Sequence, residues 1–80
     1  MKIKTIKVQQ IDSGELFEYI GLRIKALRME KKITQQDLAT RWGMTRTSLT
    51  NAEKGAQHIP LDKLYNLALI LGCEITELLP

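Results

Sequence analysis

The sequence predicts an all-α domain, and three observations support this prediction. Beyond residue 13, apolar residues recur at spacings of three and four, the period of helices that are buried on one face. Residues that cap or end helices separate these stretches. The 80 residues are enough for one domain only. We therefore expect one helical domain over residues 14–80, preceded by a short N-terminal arm or strand over residues 1–13.

The N-terminal segment differs in pattern from the rest of the chain. Its apolar and basic residues are interleaved without strict alternation, at Ile3, Ile6, Val8 and Ile11 and at Lys2, Lys4 and Lys7. Three interpretations remain open: a disordered arm, a short strand that pairs with another chain, or a basic arm that touches DNA. A lone strand is not stable, so the second interpretation requires a partner.

The first predicted helix runs from residue 14 to about Lys31. Its potential cap residues are Asp12, Ser13 and Gly14. Its apolar stripe comprises Leu16, Ile20, Ile24 and Leu27. Because these residues repeat at helical spacing, the stripe should face the core.

The next two predicted helices are short. Thr34 caps one that ends at Trp42, and Thr45 caps one that runs from Arg46 to about Lys54. Gly43 lies between them, where a tight turn needs a positive φ that glycine adopts at little cost. Two short helices joined by such a turn form the arrangement that places a helix in the major groove of DNA.

The fourth predicted helix, Leu61–Leu71, begins after Pro60 and ends at Gly72. Residues 75–79 then form a last turn or two. This terminal segment carries the apolar residues Ile75, Leu78 and Leu79.

Two faces of the third helix differ in chemistry. Leu49, Ala52 and Glu53 share an inward face, and Arg28 is the cation best placed to pair with Glu53. The other face consists of Arg46, Thr47, Thr50, Asn51 and Lys54. Arginine side chains hydrogen-bond to guanine, asparagine side chains hydrogen-bond to adenine, and threonine methyl groups make apolar contact with the methyl group of thymine. This face is therefore the candidate base-reading surface.

The composition excludes several other classes of function. Twelve basic against nine acidic residues give a net charge of +3, which suits a polyanionic partner. One cysteine and one histidine provide neither an internal disulfide nor a zinc site, which fits a reducing cytosol. No apolar run indicates a signal peptide or a membrane span. No nucleophile–base pair, phosphate-binding glycine loop or metal cluster is evident, so we expect no enzyme and no cofactor.

From Ile20 onward the chain resembles the lambdoid-phage repressor and Cro-like helix-turn-helix family, also called the xenobiotic-response-element type. The matching segments are IGLRIKALR at 20–28, TQQDLA at 34–39, GMTRTSL at 43–49, EKG at 53–55, and residues 64–72 with Leu78 and Leu79. They cover about three-quarters of the chain in the family's order. Residues 1–15 lie outside this pattern, and Pro60 stands where the family usually has a capping Ser or Thr.

The resemblance implies a compact five-helix domain whose second and third helices form the helix-turn-helix. It implies that Arg46, Thr47 and Asn51 read bases. The implied phosphate contacts are Thr34, Gln35, Arg41 and Lys54. It also implies a buried ion pair between Arg28 and Glu53, in agreement with the pairing expected above. In family terms the C-terminal segment with Ile75, Leu78 and Leu79 is a candidate dimer interface, and the N-terminal segment is another if it forms a strand.

These observations predict a cytoplasmic, nucleoid-associated transcriptional regulator that binds double-stranded DNA. A dimeric repressor or autoregulator on an inverted-repeat operator is the leading interpretation, since one small module makes few specific contacts. The alternative is an antitoxin that binds a toxin protein as well as its operator. In that case the N-terminal segment would order on binding its protein partner.

Overall fold

The computed structural model describes residues 12–80, which contain four α-helices and one short 3₁₀ turn. The all-α prediction is confirmed for this part of the chain. The count of five helices is not confirmed, because the last turn or two expected at residues 75–79 is a single 3₁₀ turn, Ile75–Glu77. Residues 1–11, which carry most of the predicted arm or strand, lie outside the described residues.

Helix α1, Ser13–Glu30, begins where a side chain satisfies its first turn. Asp12 is the N-cap, and its Oδ1 accepts a hydrogen bond of 2.7 Å from the backbone N–H of Glu15. Lys31 closes the helix, one residue beyond its last helical position, and Lys32 then takes a positive φ of 57°. The chain therefore turns sharply toward the second helix without a glycine.

Helices α2, Gln35–Trp42, and α3, Arg46–Glu53, form the helix-turn-helix. The predicted caps occur at both starts: Thr34 accepts from the N–H of Asp37, and Thr45 accepts from the N–H of Ser48. Gly43 has a φ of 72°, and an added Cβ there would meet nothing within 4 Å. Backbone conformation, rather than crowding, is what requires glycine at this turn.

Helix α4, Leu61–Leu71, has the bounds that the sequence predicts. Pro60 makes no side-chain hydrogen bond to the first turn of the helix. Its φ of −58° is close to that of a helical residue, so the proline is compatible with the start of the helix. The helix ends at Gly72, whose φ is 65°. It is joined to α2 by the buried indole of Trp42, whose N–H donates to the carbonyl oxygen of Lys63 over 2.9 Å.

One apolar core lies between the helices. Its completely buried large side chains are Ile20, Ile24, Leu38, Leu49, Leu67, Leu71 and Leu78. Burying each such side chain contributes about 1.5–3 kcal/mol, so this core supplies most of the stabilisation of the fold. Because Leu78 is wholly enclosed, only Ile75 and Leu79 of the candidate dimer interface in the C-terminal segment remain partly accessible.

Cys73 lies at the edge of this core and is half-buried. Burial, reinforced by the nearby carboxylate of Glu77, raises the pKa of its thiol. Within residues 12–80, no helix has the length and apolar character needed to cross a membrane. The same residues contain no group of three or more side chains suited to bind a metal ion.

Candidate nucleic-acid interface

The inner face of α3 is anchored by close contact with α1. Leu49, Ala52 and Glu53 are buried on this face. Gly21 of α1 packs directly against the end of α3, because a Cβ added there would lie 2.4 Å from the carbonyl oxygen of Ala52 and 2.6 Å from that of Glu53. The two backbones therefore touch, and only glycine allows this separation.

Sequence reasoning noted Gly21 only as part of a matching segment and missed its role in positioning α3. A signal was nevertheless present. Glycine inside a helix costs about 1 kcal/mol relative to alanine, so an interior glycine indicates a close approach by another part of the chain.

Glu53 is the centre of a buried polar network. The structure brings it together with Arg28, whose Nε donates to Oε2 over 2.7 Å and whose Nη2 donates to Oε1 over 3.3 Å. The Arg28 Nη1 also donates to the carbonyl oxygen of Ile33, at 2.9 Å. The side chain of Arg28 is 12% exposed and that of Glu53 is 4% exposed, so water screens this pair little.

Gln35 is the third member of this network. The sequence predicted Gln35 as a phosphate contact but did not reveal its bond to Glu53. Its Nε2 donates to Glu53 Oε1 over 2.9 Å, and its Oε1 lies 3.5 Å from the Thr50 hydroxyl. Glu53 therefore links α1, α2 and α3, one residue from each helix. This arrangement sets the orientation of α3 relative to the rest of the domain.

The outer face of α3 carries the candidate base-reading residues, and they are not equivalent. Arg46, Thr47 and Asn51 are exposed. Thr50 is half-buried, and its hydroxyl donates to the carbonyl oxygen of Arg46 over 2.9 Å. The hydroxyl hydrogen of Thr50 is therefore used within the helix, whereas its oxygen can still accept a hydrogen bond.

The candidate phosphate contacts lie around this face. Thr34 is exposed, and its hydroxyl oxygen caps α2. Arg41 is exposed and forms a salt bridge of 3.0 Å with Asp37, one turn earlier on α2. Lys54 is exposed at the C-terminal cap of α3, and Gln35 is half-buried in the network described above.

The charge of the whole domain does not explain attraction to a polyanion. Lys2, Lys4 and Lys7 precede residue 12 and no acidic residue does, so residues 12–80 contain nine basic and nine acidic side chains. Any positive potential at the helix-turn-helix is therefore local. It comes from Arg46 and Lys54, with Arg41 partly compensated by its salt bridge.

The fold and this surface define a helix-turn-helix DNA-binding domain. A model of the helix-turn-helix family HTH_3 matches residues 24–78, more than half of the chain. The chain therefore belongs to this family of DNA-binding transcription regulators, which is of the xenobiotic-response-element type and is not an enzyme family.

Three known proteins illustrate the similarity. The chain is 34% identical over 59 residues to the immunity repressor protein of Bacillus phage phi105, covering 74% of this chain and 41% of the repressor. It is 31% identical over 64 residues to the uncharacterized HTH-type transcriptional regulator y4dJ of Sinorhizobium fredii, covering 80% and 83% of the two chains. The restriction-modification controller protein C.AhdI of Aeromonas hydrophila has a TM-score of 0.73 and 31% identity, with 78% and 94% coverage.

Proposed function

We propose that this protein is a sequence-specific transcriptional repressor that binds double-stranded DNA as a homodimer. Helix α3 of each subunit enters the major groove at one half of an inverted-repeat operator. The observation that carries this proposal is the exposed polar face of α3, displayed by a helix whose opposite face is locked by Gly21 and by the Glu53 network.

Base reading is assigned to the exposed part of that face. Arg46 suits a bidentate contact with guanine, and Asn51 suits adenine. Thr47 offers both a hydroxyl and a methyl group, whereas the hydroxyl hydrogen of Thr50 is used within the helix, which leaves its methyl group and the acceptor oxygen for a base. A reading helix held rigidly loses little conformational entropy on binding, which favours affinity.

Phosphate binding is assigned to Thr34, Gln35, Arg41 and Lys54. Gln35 has two amide hydrogens, of which one is directed to Glu53. The second hydrogen remains for a phosphate oxygen at the start of α2, where the helix dipole also favours an anion. Gln35 would then connect the DNA backbone to the buried network that orients α3.

Helix α4 provides the surface that we assign to the dimer. Leu61, Tyr65 and Leu69 recur at every fourth residue and are 64%, 51% and 80% exposed. An exposed apolar stripe of this kind is typical of a protein-binding surface. A second copy is the expected occupant because a single small module makes too few contacts for tight specific binding. We favour this stripe over the two candidates from the sequence, the C-terminal segment and the N-terminal segment.

The test of DNA reading is selection of bound sites from a random double-stranded pool at two salt concentrations. We expect a palindromic consensus. Arg41 and Lys54 of two subunits provide four charged phosphate contacts, so log K should fall with log salt with a slope of about −4. Weak binding without sequence preference would contradict the proposal and would favour the antitoxin alternative, in which a protein is the main partner.

Variants separate the assigned roles. Arg46→Ala should weaken binding to the selected site by about 1–3 kcal/mol and relax the preference at one position, and Lys54→Ala should weaken binding to all sequences equally. Lys25→Ala is the matched control for lost charge, because Lys25 is exposed on α1, which does not bear the reading face. An equal loss of affinity for Lys25→Ala would show that only the net charge matters.

The dimer is tested separately by sedimentation of Leu69→Glu, which should be monomeric and should bind the operator more weakly. Leu22→Glu is the matched control, since Leu22 is a similarly exposed leucine on α1. A dimeric Leu69→Glu variant would place the interface elsewhere.

A further inference from the structure

Helix α1 has a second apolar face, opposite to the one that it buries. Tyr19, Leu22, Ala26 and Met29 are spaced by three, four and three residues and form one stripe. The exposed fractions of Tyr19, Leu22 and Met29 are 38%, 60% and 59%. An exposed helix face is normally polar, so this stripe indicates a surface that another segment covers.

The beginning of this stripe is acidic. A shallow open pocket of about 270 Å³ is lined by Glu15, Glu18, Tyr19 and Leu22. The salt bridges formed among residues 12–80 use the carboxylates of Asp37 and Glu53, and not those of Glu15 or Glu18. The surface therefore combines apolar side chains with negative charge, and its complement is an apolar and basic segment.

We propose that residues 1–11 of the same chain pack along this outer face of α1. The segment is apolar at Ile3, Ile6 and Val8, carries Lys2, Lys4 and Lys7, and has no acidic residue. It therefore matches the stripe in both polarity and charge. All of the net positive charge of the protein is in these lysines, so pairing them with Glu15 and Glu18 places opposite charges together.

The length of the segment is sufficient for this contact. Its eleven residues are joined to α1 at Asp12. An extended chain of that length reaches about 36 Å, whereas the rise along the helix from Asp12 to Met29 is about 26 Å. The segment can thus reverse direction at Asp12 and cover the whole stripe. In this position its lysines contact α1 rather than DNA, and the proposal does not depend on DNA binding.

Paramagnetic relaxation in the full-length chain tests this placement. A nitroxide is attached to Thr5→Cys in a Cys73→Ser background, which leaves all three N-terminal lysines in place. We expect loss of the amide signals of Tyr19, Leu22 and Ala26, at every protein concentration. Retention of these signals, or loss of α3 signals instead, overturns the proposal.

Two controls make the result specific. Leu22→Lys places a positive charge in the middle of the stripe, which repels the basic segment and should restore the α1 signals. Asn66→Lys adds the same charge at an exposed position of α4 outside its apolar stripe and should not restore them. Thermal unfolding checks that both variants fold. In a mixture of spin-labelled unenriched chain with unlabelled ¹⁵N-enriched chain, the α1 signals should persist, and their loss would assign the contact to the segment of a second copy.

Discussion

The backbone contact between Gly21 and the end of α3 leads to a quantitative prediction for Gly21→Ala. The new methyl carbon would lie 2.4 Å from the carbonyl oxygen of Ala52, 2.6 Å from that of Glu53 and 2.8 Å from the Glu53 carbonyl carbon. All three atoms belong to the backbone, so no side-chain rotation relieves the clash. Helix α3 must move away from α1 or the two helices must deform.

The magnitude follows from two opposed effects. Overpacking costs about 1–3 kcal/mol, and contact with backbone places this case at the upper end of that range. Alanine is favoured over glycine inside a helix by about 1 kcal/mol. The variant should therefore lose about 2 kcal/mol of unfolding free energy. For a domain of this size, each kcal/mol lowers Tm by about 4–8 °C, so the expected decrease is about 8–16 °C.

Urea unfolding followed by circular dichroism and by the fluorescence of the single Trp42 measures this loss. The pair Lys25→Ala and Lys25→Gly provides the matched control, because Lys25 is exposed on the same helix outside the apolar stripe and the difference between the two variants reports helix propensity without a packing change. The glycine variant should be less stable than the alanine variant by about 1 kcal/mol. If Gly21→Ala were as stable as the parent or more stable, the two backbones would not be in contact and the reasoning about how α3 is positioned would be refuted.

Three further predictions concern polar groups. Glu53→Leu should destabilise the domain by about 3–5 kcal/mol in urea unfolding, because it leaves the buried Arg28 cation unpaired. Adding Arg28→Leu should recover much of this loss. A double variant no more stable than the single one would contradict the reasoning. Gln35→Ala should reduce affinity for selected and random DNA alike, and a change confined to the selected sequence would argue against its phosphate role. The raised pKa of the Cys73 thiol leaves less thiolate at a given pH. Its reaction with a disulfide reagent at pH 8 should therefore be slower than that of a free thiol and should accelerate only at higher pH. A rate equal to that of a free thiol would contradict the burial of Cys73.

The helix boundaries depend on local chemistry, and the sequence predicts most of them. Thr34, Thr45 and Gly43 act on backbone groups within three or four residues of themselves, so their effect is visible in a short stretch of sequence. The same holds for Pro60 and Gly72, which bound α4. The last segment forms a 3₁₀ turn rather than a fifth α-helix because the three residues between Glu74 and Leu78 can close only one turn.

The candidate site was only partly predictable. The polar face of α3 follows from helical periodicity, and the pairing of Arg28 with Glu53 follows from one acidic residue on an otherwise apolar face. Neither reveals that Gln35 joins the pair or that the Thr50 hydroxyl is turned into its own helix. Those contacts depend on the angle between α2 and α3, which periodicity does not specify.

What the sequence by itself determines is which residues form helices, where the helices begin and end, and which residues of α3 are polar. Tertiary packing decides how the helices are placed against one another. It encloses Leu78 in the core and leaves Leu22 and Leu69 exposed, although all three are leucines in helical or turn segments. The physical reason is that capping and backbone preference act within one turn of helix, whereas burial depends on residues that are distant in the chain and become neighbours only when the domain folds.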